Sequence, residues 1–115
     1  MCTYQVCINS KLSYLRLVKA NSYWRRLKGW MFKQSVSFDD ALLIEPCNSI
    51  HTFFMNFPID ALFLNSRGYV IRCCPSITNR RFRAVWRASS VIELSVGAIA
   101  NLGIVEGDLI ELKEI

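Results

Sequence analysis

The feature that most constrains this chain is the length of its apolar segments. Each is short enough for a β-strand, and none approaches the ~18 apolar residues that a membrane-spanning helix requires. Segments rich in β-branched and aromatic side chains recur along the chain, with turn residues between them. The pattern therefore predicts a β-rich protein without a membrane span. The predicted strands are residues 4–8, 12–18, 41–45, 51–57, 59–64, 69–73, 91–96 and 108–113.

A hairpin turn and two helical segments interrupt the strands. The turn Asn65-Ser66-Arg67-Gly68 predicts a hairpin, because its glycine can take a positive φ without steric cost. Trp24, Leu27 and Met31 lie three and four residues apart, which predicts one face of a short amphipathic helix. The candidate helix boundaries are Asn21 or Ser22 at the start and Gly29 at the end, with a second helical turn at residues 98–102.

These elements together predict a mainly β (α+β) fold. About seven short strands with one or two short helices favour a small, closed or partly open β-barrel-like fold, because barrel closure removes exposed sheet edges. A β-sandwich is the alternative. With 115 residues and no Pro-, Gly- or Ser-rich linker, the sequence predicts a single domain over residues 1–115.

Charge and cysteine content restrict the environment and the partners. The net charge is +5, and it arises from blocks of alternating sign: residues 1–38 and 67–87 contain no acid, and residues 39–66 contain no base. Such blocks either neutralise one another on folding or leave a basic face for an anionic partner. Five cysteines without a regular framework indicate reduced thiols, and the first seven residues lack the basic start and the apolar segment of a secretory signal, so a cytoplasmic location is predicted.

Three patches carry a resemblance to a known family. The first is Gly29-Trp30-Met31-Phe32, and the second runs over residues 51–64 and continues through the hairpin turn to Val70. The third joins Val91-Ile92-Glu93-Leu94 to the glycine-containing segment of residues 97–110. In this order and spacing, residues 12–113 resemble the bacterial and archaeal family called domain of unknown function 192.

The resemblance implies a compact β-rich fold and no established activity. Relatives of this kind carry Gly-Leu-Met where the chain has Gly29-Trp30-Met31, an apolar exchange that keeps a packing role. They also have a longer polar segment where this chain has only four residues between Met55 and Asp60. Some are encoded near pilus or secretion machinery, which implies a protein partner there.

One candidate ligand pocket is predicted in the aromatic second patch. If residues 51–57 form a strand, aromatic side chains occupy both of its faces, which fits either a strand buried on both sides or a pocket lined by aromatic rings. The candidate pocket residues are His51, Phe53, Met55, Asn56 and Asp60. Neither a metal site nor a catalytic set is predicted, because Cys47, His51 and Met55 would spread along extended chain and no nucleophile is paired with a base.

A second candidate site is a basic loop. Four arginines alternate with Phe82 and Trp86, a composition that suits phosphate contacts and base stacking. The candidate anion-binding residues are Arg80, Arg81, Arg83 and Arg87. The alternative is a solvated surface loop between strands. The candidate structural turn residues are Gly68, Gly103, Gly107 and Asp108.

These patterns lead to three functional hypotheses. The first is a non-enzymatic binding or accessory module without a cofactor, with a protein partner in pilus or secretion machinery. The second is a small-ligand binder or enzyme with a pocket around His51, Asn56 and Asp60. The third is nucleic-acid binding through the arginines of residues 80–87.

Overall fold

The computed structural model describes residues 2–20 and 22–115, with the backbone alone for Tyr23 and Trp24. The strands are β1 Thr3–Ile8, β2 Lys11–Lys19, β3 Asp40–Ile44, β4 Ser49–His51, β5 Ile59–Leu64, β6 Val70–Ile77, β7 Phe82–Ala84, β8 Ser90–Ser95 and β9 Ile110–Glu114. The helices are α1 Tyr23–Lys28 and α2 Ala98–Leu102.

Seven strands form one curved sheet in the order β6-β5-β8-β3-β2-β1-β9, and β4 pairs with β7 in a separate small sheet. Neighbours are antiparallel except β2 and β3, which run parallel. The two edges approach each other where Tyr69 forms a bridge with Leu109 and the Val70 N–H donates to the Asp108 carbonyl. The mainly β, partly open barrel-like fold is thereby confirmed. β1 pairs with β9, so the first and last strands lie side by side in this sheet.

Two hydrophobic clusters lie on opposite faces of the central strands. In β5, Leu62 and Leu64 belong to the cluster that packs with α2, whereas Ala61 and Phe63 belong to the other. Side chains alternate between the faces of a strand, so a central strand covered on both sides is apolar at nearly every position. The second cluster also contains Trp30, Ile50 and Met55, which lie outside the seven-stranded sheet and pack against it. This covered face holds the candidate site.

Helix α1 begins and ends where the capping residues predict. The Ser22 hydroxyl accepts a hydrogen bond from the Arg25 N–H, and the chain reverses at Gly29 with a φ of +56°. The predicted apolar face is only partly realised, since Leu27 is 55% exposed and Met31 lies beyond the helix. The buried anchor of this region is instead Trp30, directly after the helix. Asn21, the other candidate cap, lies outside the described residues.

The predicted strand over residues 51–57 is wrong, because only His51 continues β4. The chain turns immediately afterwards: the Met55 N–H donates to the Thr52 carbonyl, and Phe54 takes a φ of +64°. Buried Thr52 holds this turn against residues 78–81, because its hydroxyl donates to the Thr78 carbonyl and accepts from the Arg81 N–H. An aromatic-rich run here forms a turn that side-chain contacts stabilise.

The two remaining local predictions have different outcomes. The hairpin turn forms, since Gly68 has a φ of +90° and its N–H donates to the Asn65 carbonyl. A Cβ at Gly68 would lie 2.7 Å from the Ile110 carbonyl oxygen, so this turn requires glycine for space as well. The arginine-rich segment was predicted as a loop, but it contains β7, which pairs Phe82 with His51 of β4.

In the described part of the chain, no helix has the length and apolarity that crossing a membrane requires.

Candidate ligand-binding cavity

A cavity of about 420 Å³ opens between α1, the β3–β4 connection, β7 and β8. It lies on the face of the sheet that the second hydrophobic cluster covers. The lining residues are Arg26, Leu27, Lys28, Gly29, Ile44, Pro46, Cys47, Asn48, Ser49, Ile50, His51, Phe82 and Glu93. Apolar walls with a few polar groups are typical of small-molecule sites.

Glu93 is the most unusual residue of this cavity. It lies in the middle of β8, between Leu42 of β3 and Ala61 of β5, and only 2% of its surface is exposed. Its Oε1 accepts a hydrogen bond of 3.1 Å from the Trp30 N–H. Burial raises the pKa of this carboxyl to about 7, and the Trp30 N–H opposes the shift. Because burying a charge without a partner is costly, such a group indicates a function.

Gly29 makes room for this carboxyl. A Cβ at position 29 would lie 2.9 Å from Oε2 and 3.0 Å from Oε1 of Glu93, closer than van der Waals contact allows. The backbone at Gly29 also has a φ of +56°, which favours glycine. The turn after α1 therefore lets the backbone approach Glu93 and brings the Trp30 N–H to it.

His51 and Cys47 line the same cavity. In the part of the chain that the structure describes, the buried Nδ1 of His51 has no hydrogen-bond partner. The Cys47 thiol donates to the Ser49 carbonyl at 3.0 Å. Burial raises the pKa of Cys47, and the nearby Glu93 charge raises it further. A thiol with a raised pKa is a weak nucleophile at neutral pH.

The mouth of the cavity is basic and aromatic. Arg26 and Lys28 line it on the side of α1, and Phe82 lines it on the side of β7 with 62% of its surface exposed. Since Phe82 is paired with His51, the two rings lie on the same face of the small sheet. The Arg83 guanidinium donates to the Phe82 carbonyl at 2.9 Å, which holds one end of Arg83 beside this strand.

The other arginines of the predicted basic loop lie on two sides of β7. Arg80 and Arg81 form the turn before β7, and their N–H groups donate to the carbonyl and the hydroxyl of Thr52 respectively. Arg87 lines a different depression of about 480 Å³, together with Trp86 and Arg72. Arg80, Arg81 and Arg83 are therefore grouped near β7, and Arg87 is separate from them.

The five residues of the predicted pocket do not line one cavity. His51 alone lines the cavity that contains Glu93. Met55 is buried in the second hydrophobic cluster, and the Asn56 amide donates to the Lys33 carbonyl at 2.6 Å. Phe53 is 45% exposed, with its ring centroid 5.8 Å from that of His51.

Asp60, the fifth residue, is fully buried in β5 and contacts backbone groups. Its Oδ1 accepts from the Ser76 N–H, and its Oδ2 accepts from the N–H groups of Gly97 and Ile99, at 2.9–3.1 Å. Asp60 thus links β6 and the start of α2 to the central sheet. This environment corrects the expectation that Asp60 is a polar group of an open pocket.

The four predicted turn residues lie at chain reversals. Gly68, Gly103 and Gly107 all have positive φ, and Gly103 follows the last residue of α2. The Asp108 carboxylate accepts from the Val105 N–H and from the Asn9 amide, both at 2.9 Å. These contacts bring the turn before β9 against the β1–β2 hairpin.

Glu93 and Gly29 were missed as site residues, although both lie in sequence patches that carry the family resemblance. The available signal was the charge of Glu93 inside Val91-Ile92-Glu93-Leu94, a segment otherwise apolar enough for a strand buried on both faces.

The family model of domain of unknown function 192, described as Uncharacterized ACR, matches residues 4–112. This chain belongs to that family. The match begins earlier than the expected residue 12 and includes most of β1. None of the curated proteins matches the sequence.

Two solved structures share the fold of this domain of unknown function 192 protein. One is a candidate transcription regulator from Sinorhizobium meliloti 1021, with 19% identity, a TM-score of 0.85, and coverage of 96% of this chain and 93% of the other. The second is a protein of unknown function from Novosphingobium aromaticivorans DSM 12444, with 20% identity, a TM-score of 0.82, and coverage of 95% and 83%. At such identities the similarity shows the fold alone.

The three patches that carry the family resemblance meet around the cavity. Gly29 and Trp30 of the first contact Glu93 of the third. The second supplies His51 to the lining, and its Phe54 accepts a hydrogen bond from the Phe32 N–H and stacks on the Phe32 ring. In this family member, residues that are distant in sequence therefore converge at one place.

Proposed function

We propose that this protein is a small-ligand-binding module whose ligand occupies the cavity beside Glu93. The observation that carries the proposal is a nearly fully buried carboxyl that lines an open cavity and has a single backbone hydrogen bond. A ligand that brings a hydrogen-bond donor to this carboxyl would offset the cost of burying it. The volume of about 420 Å³ lies within the range of about 300–1,000 Å³ typical of such sites.

Binding without catalysis fits the groups that line the cavity. Nucleophilic catalysis by Cys47 would need a thiolate, but burial and the nearby Glu93 raise the pKa of this thiol. The Cys47 thiol also donates its hydrogen to the Ser49 carbonyl, which stabilises the protonated form. The cavity is thus better suited to hold a molecule than to transform it.

The test is an NMR titration of the protein with a panel of small molecules: amines, alcohols, amides, nucleosides and organic phosphates. A compound that binds as proposed will shift the amide signals of Gly29, Trp30 and Glu93. Asn48 is exposed and lines the cavity, so Asn48→Trp will fill the opening and abolish these shifts while leaving the melting temperature close to that of the wild type. A panel that shifts no cavity amide, or shifts that survive Asn48→Trp, would refute the proposal.

A protein partner is the second candidate function. It is favoured by the Phe32 and Phe54 rings, which stack with centroids 5.5 Å apart and are 59% and 65% exposed. Paired exposed aromatic rings are enriched in interfaces with proteins. The family resemblance points to pilus or secretion machinery in the cytoplasm, and all five cysteines are free thiols, as in a reducing compartment. If this holds, Phe32→Ser with Phe54→Ser will abolish co-purification with components of that machinery, whereas unchanged recovery will refute it.

A further inference from the structure

We propose that the ligand of this cavity is a guanine nucleotide, with its base beside Glu93 and its phosphate at the basic mouth. The inference rests on the proposed function and assigns the chemical class of the ligand. It is based on three features of the lining: an acid inside, an exposed aromatic ring at the side, and cationic side chains around the opening.

The inner end of the cavity fits a group with adjacent N–H donors. Each carboxylate oxygen of Glu93 can accept more than one hydrogen bond, and Trp30 uses one acceptor position of Oε1. The Watson–Crick edge of guanine presents its ring N–H beside its amino group, so the two donors match the two oxygens of a carboxylate. Proteins read unpaired bases in this way, through hydrogen bonds to that edge.

The side wall offers a stacking surface. Phe82 lines the cavity, remains 62% exposed, and lies on the same face of the small sheet as the imidazole of His51. A planar base that enters the cavity can stack on an exposed aromatic ring, and such stacking contributes to binding for every base. In this proposal, Phe82 supplies affinity for any nucleobase, and Glu93 supplies the preference for guanine.

The mouth is suited to a phosphate group. Arg26 and Lys28 line it from α1. Among the described residues that line the cavity, the only carboxylate is Glu93, so the acid lies inside and the bases lie at the opening. A simple amine would meet repulsion at the mouth, and a simple anion would meet it at Glu93. A nucleotide matches both ends of the cavity, because its base carries hydrogen-bond donors for Glu93 and its phosphate carries negative charge for the basic mouth.

Two ligands present such a nucleotide: free GMP and a single-stranded nucleic acid that contains guanine. Arg80 and Arg81 lie beyond Phe82 in the turn that Thr52 holds, where they can contact phosphates flanking the bound nucleotide. A single strand would therefore bind more tightly than GMP, with an affinity that falls more steeply as salt rises, because more phosphates are neutralised.

The experiment is a calorimetric and NMR titration with GMP, AMP, guanosine, inorganic phosphate and a guanine-containing tetranucleotide, each up to about 10 mM. GMP is expected to bind more tightly than AMP, guanosine and inorganic phosphate. Glu93→Gln should weaken GMP by about tenfold or more and reduce the preference over AMP. Phe82→Ala, at an exposed position, should weaken both nucleotides by about tenfold.

The basic side chains have a matched control. Arg26→Ala with Lys28→Ala should reduce the affinity for GMP to that for guanosine, whereas Arg87→Ala, in the separate depression, should leave it unchanged. If the ligand is a single strand, Arg80→Ala with Arg81→Ala should lower the affinity for the tetranucleotide but not the affinity for GMP. Equal affinities for the tetranucleotide and GMP will identify free GMP as the ligand.

Two results would overturn the inference. In the first, a compound of the panel binds the cavity while GMP shifts no amide signal. This result would refute the guanine nucleotide as the ligand but would still support the proposed function. The other is GMP binding that Glu93→Gln and Phe82→Ala leave unchanged, which places the nucleotide elsewhere. If neither GMP nor any panel compound shifts the amides of Gly29, Trp30 and Glu93, the proposed function fails as well.

Discussion

Two residues decide the chemistry of the cavity: Glu93 supplies a buried carboxyl, and Gly29 supplies the space that it occupies. Neither can be replaced freely, because the Cβ of any other residue at position 29 would collide with the carboxyl oxygens. The carboxyl in turn accepts the Trp30 N–H, which would otherwise be a buried donor without a partner. At this scale, the structure predicts opposite effects for substitutions at the two positions.

The raised pKa of Glu93 predicts a pH-dependent stability. Its folded pKa of about 7 lies above the ordinary glutamate value of 4.5, so folding takes up a proton between these pH values and the free energy of unfolding falls as pH rises through them. Glu93→Gln will remove this loss. At about pH 8 the variant should be more stable than the wild type by about 3 kcal/mol, and below about pH 4.5 the two should be nearly equal.

Urea unfolding at several pH values measures this difference. The other charged lining groups, Arg26 and Lys28, and the titratable His51 are present in both proteins. Glu93→Gln also removes the charge that raises the pKa of Cys47, so the comparison is made at and below about pH 8. A wild type that stays as stable as Glu93→Gln at about pH 8 would contradict the prediction.

Gly29→Ala should destabilise the protein through both the strained backbone and the collision with Glu93. We expect a loss of about 2–4 kcal/mol, measured by thermal or urea unfolding. Gly103→Ala is the matched control, because Gly103 also has a positive φ but a Cβ there would meet open space, so about 1 kcal/mol is expected. In the Glu93→Ala background the penalty of Gly29→Ala should shrink toward that of the control. Equal penalties at both glycines would argue against the contact.

At the scale of elements, two buried polar side chains connect segments that the sheet hydrogen bonds leave apart. Asp60 links β5 to β6 and α2, and Thr52 links the end of β4 to the turn before β7. Both side chains satisfy backbone donors in the interior, where an unpaired donor is costly. They position the cavity and the arginines beside it without lining the cavity themselves.

Asp60→Ala should be among the most destabilising single substitutions, because it leaves three backbone N–H groups without their acceptor. A loss of about 3 kcal/mol or more is expected in urea unfolding. Glu111→Ala, at an exposed position of β9, should change stability by less than about 0.5 kcal/mol. A small effect of Asp60→Ala would instead leave room for a ligand-binding role of this carboxylate.

Thr52→Val keeps the shape of the side chain but removes the hydroxyl that contacts Thr78 and Arg81. A loss of about 1–3 kcal/mol is expected, together with faster amide exchange in residues 80–83. Thr78→Val is the control, because Thr78 contributes its carbonyl and its own side chain is exposed, so this variant should behave like the wild type. Unchanged exchange at Arg81 in Thr52→Val would show that the hydroxyl does not hold the turn.

In the whole molecule, local sequence patterns predict most of the elements and the fold class, but not the contacts between distant residues that form the cavity. The bounds of β5 and α2 match the predicted ranges, since apolar runs and flanking turn residues are local signals. Residues 51–57 were mistaken for a strand because an aromatic run does not show that Phe54 takes a positive φ. The cavity depends on Trp30 meeting Glu93, 63 residues away, and this contact follows from sheet order and register.

The structure of the cavity, the proposed ligand and the pH dependence of stability all depend on the buried carboxyl of Glu93. Carbon-13 NMR titration of the Glu93 side-chain carboxyl in the folded wild-type protein measures its pKa directly. The structure predicts a midpoint near the value of about 7 that burial produces. A midpoint near the ordinary 4.5 of an exposed glutamate would contradict it, because the carboxyl would then be solvated or paired rather than buried beside Gly29 and Trp30.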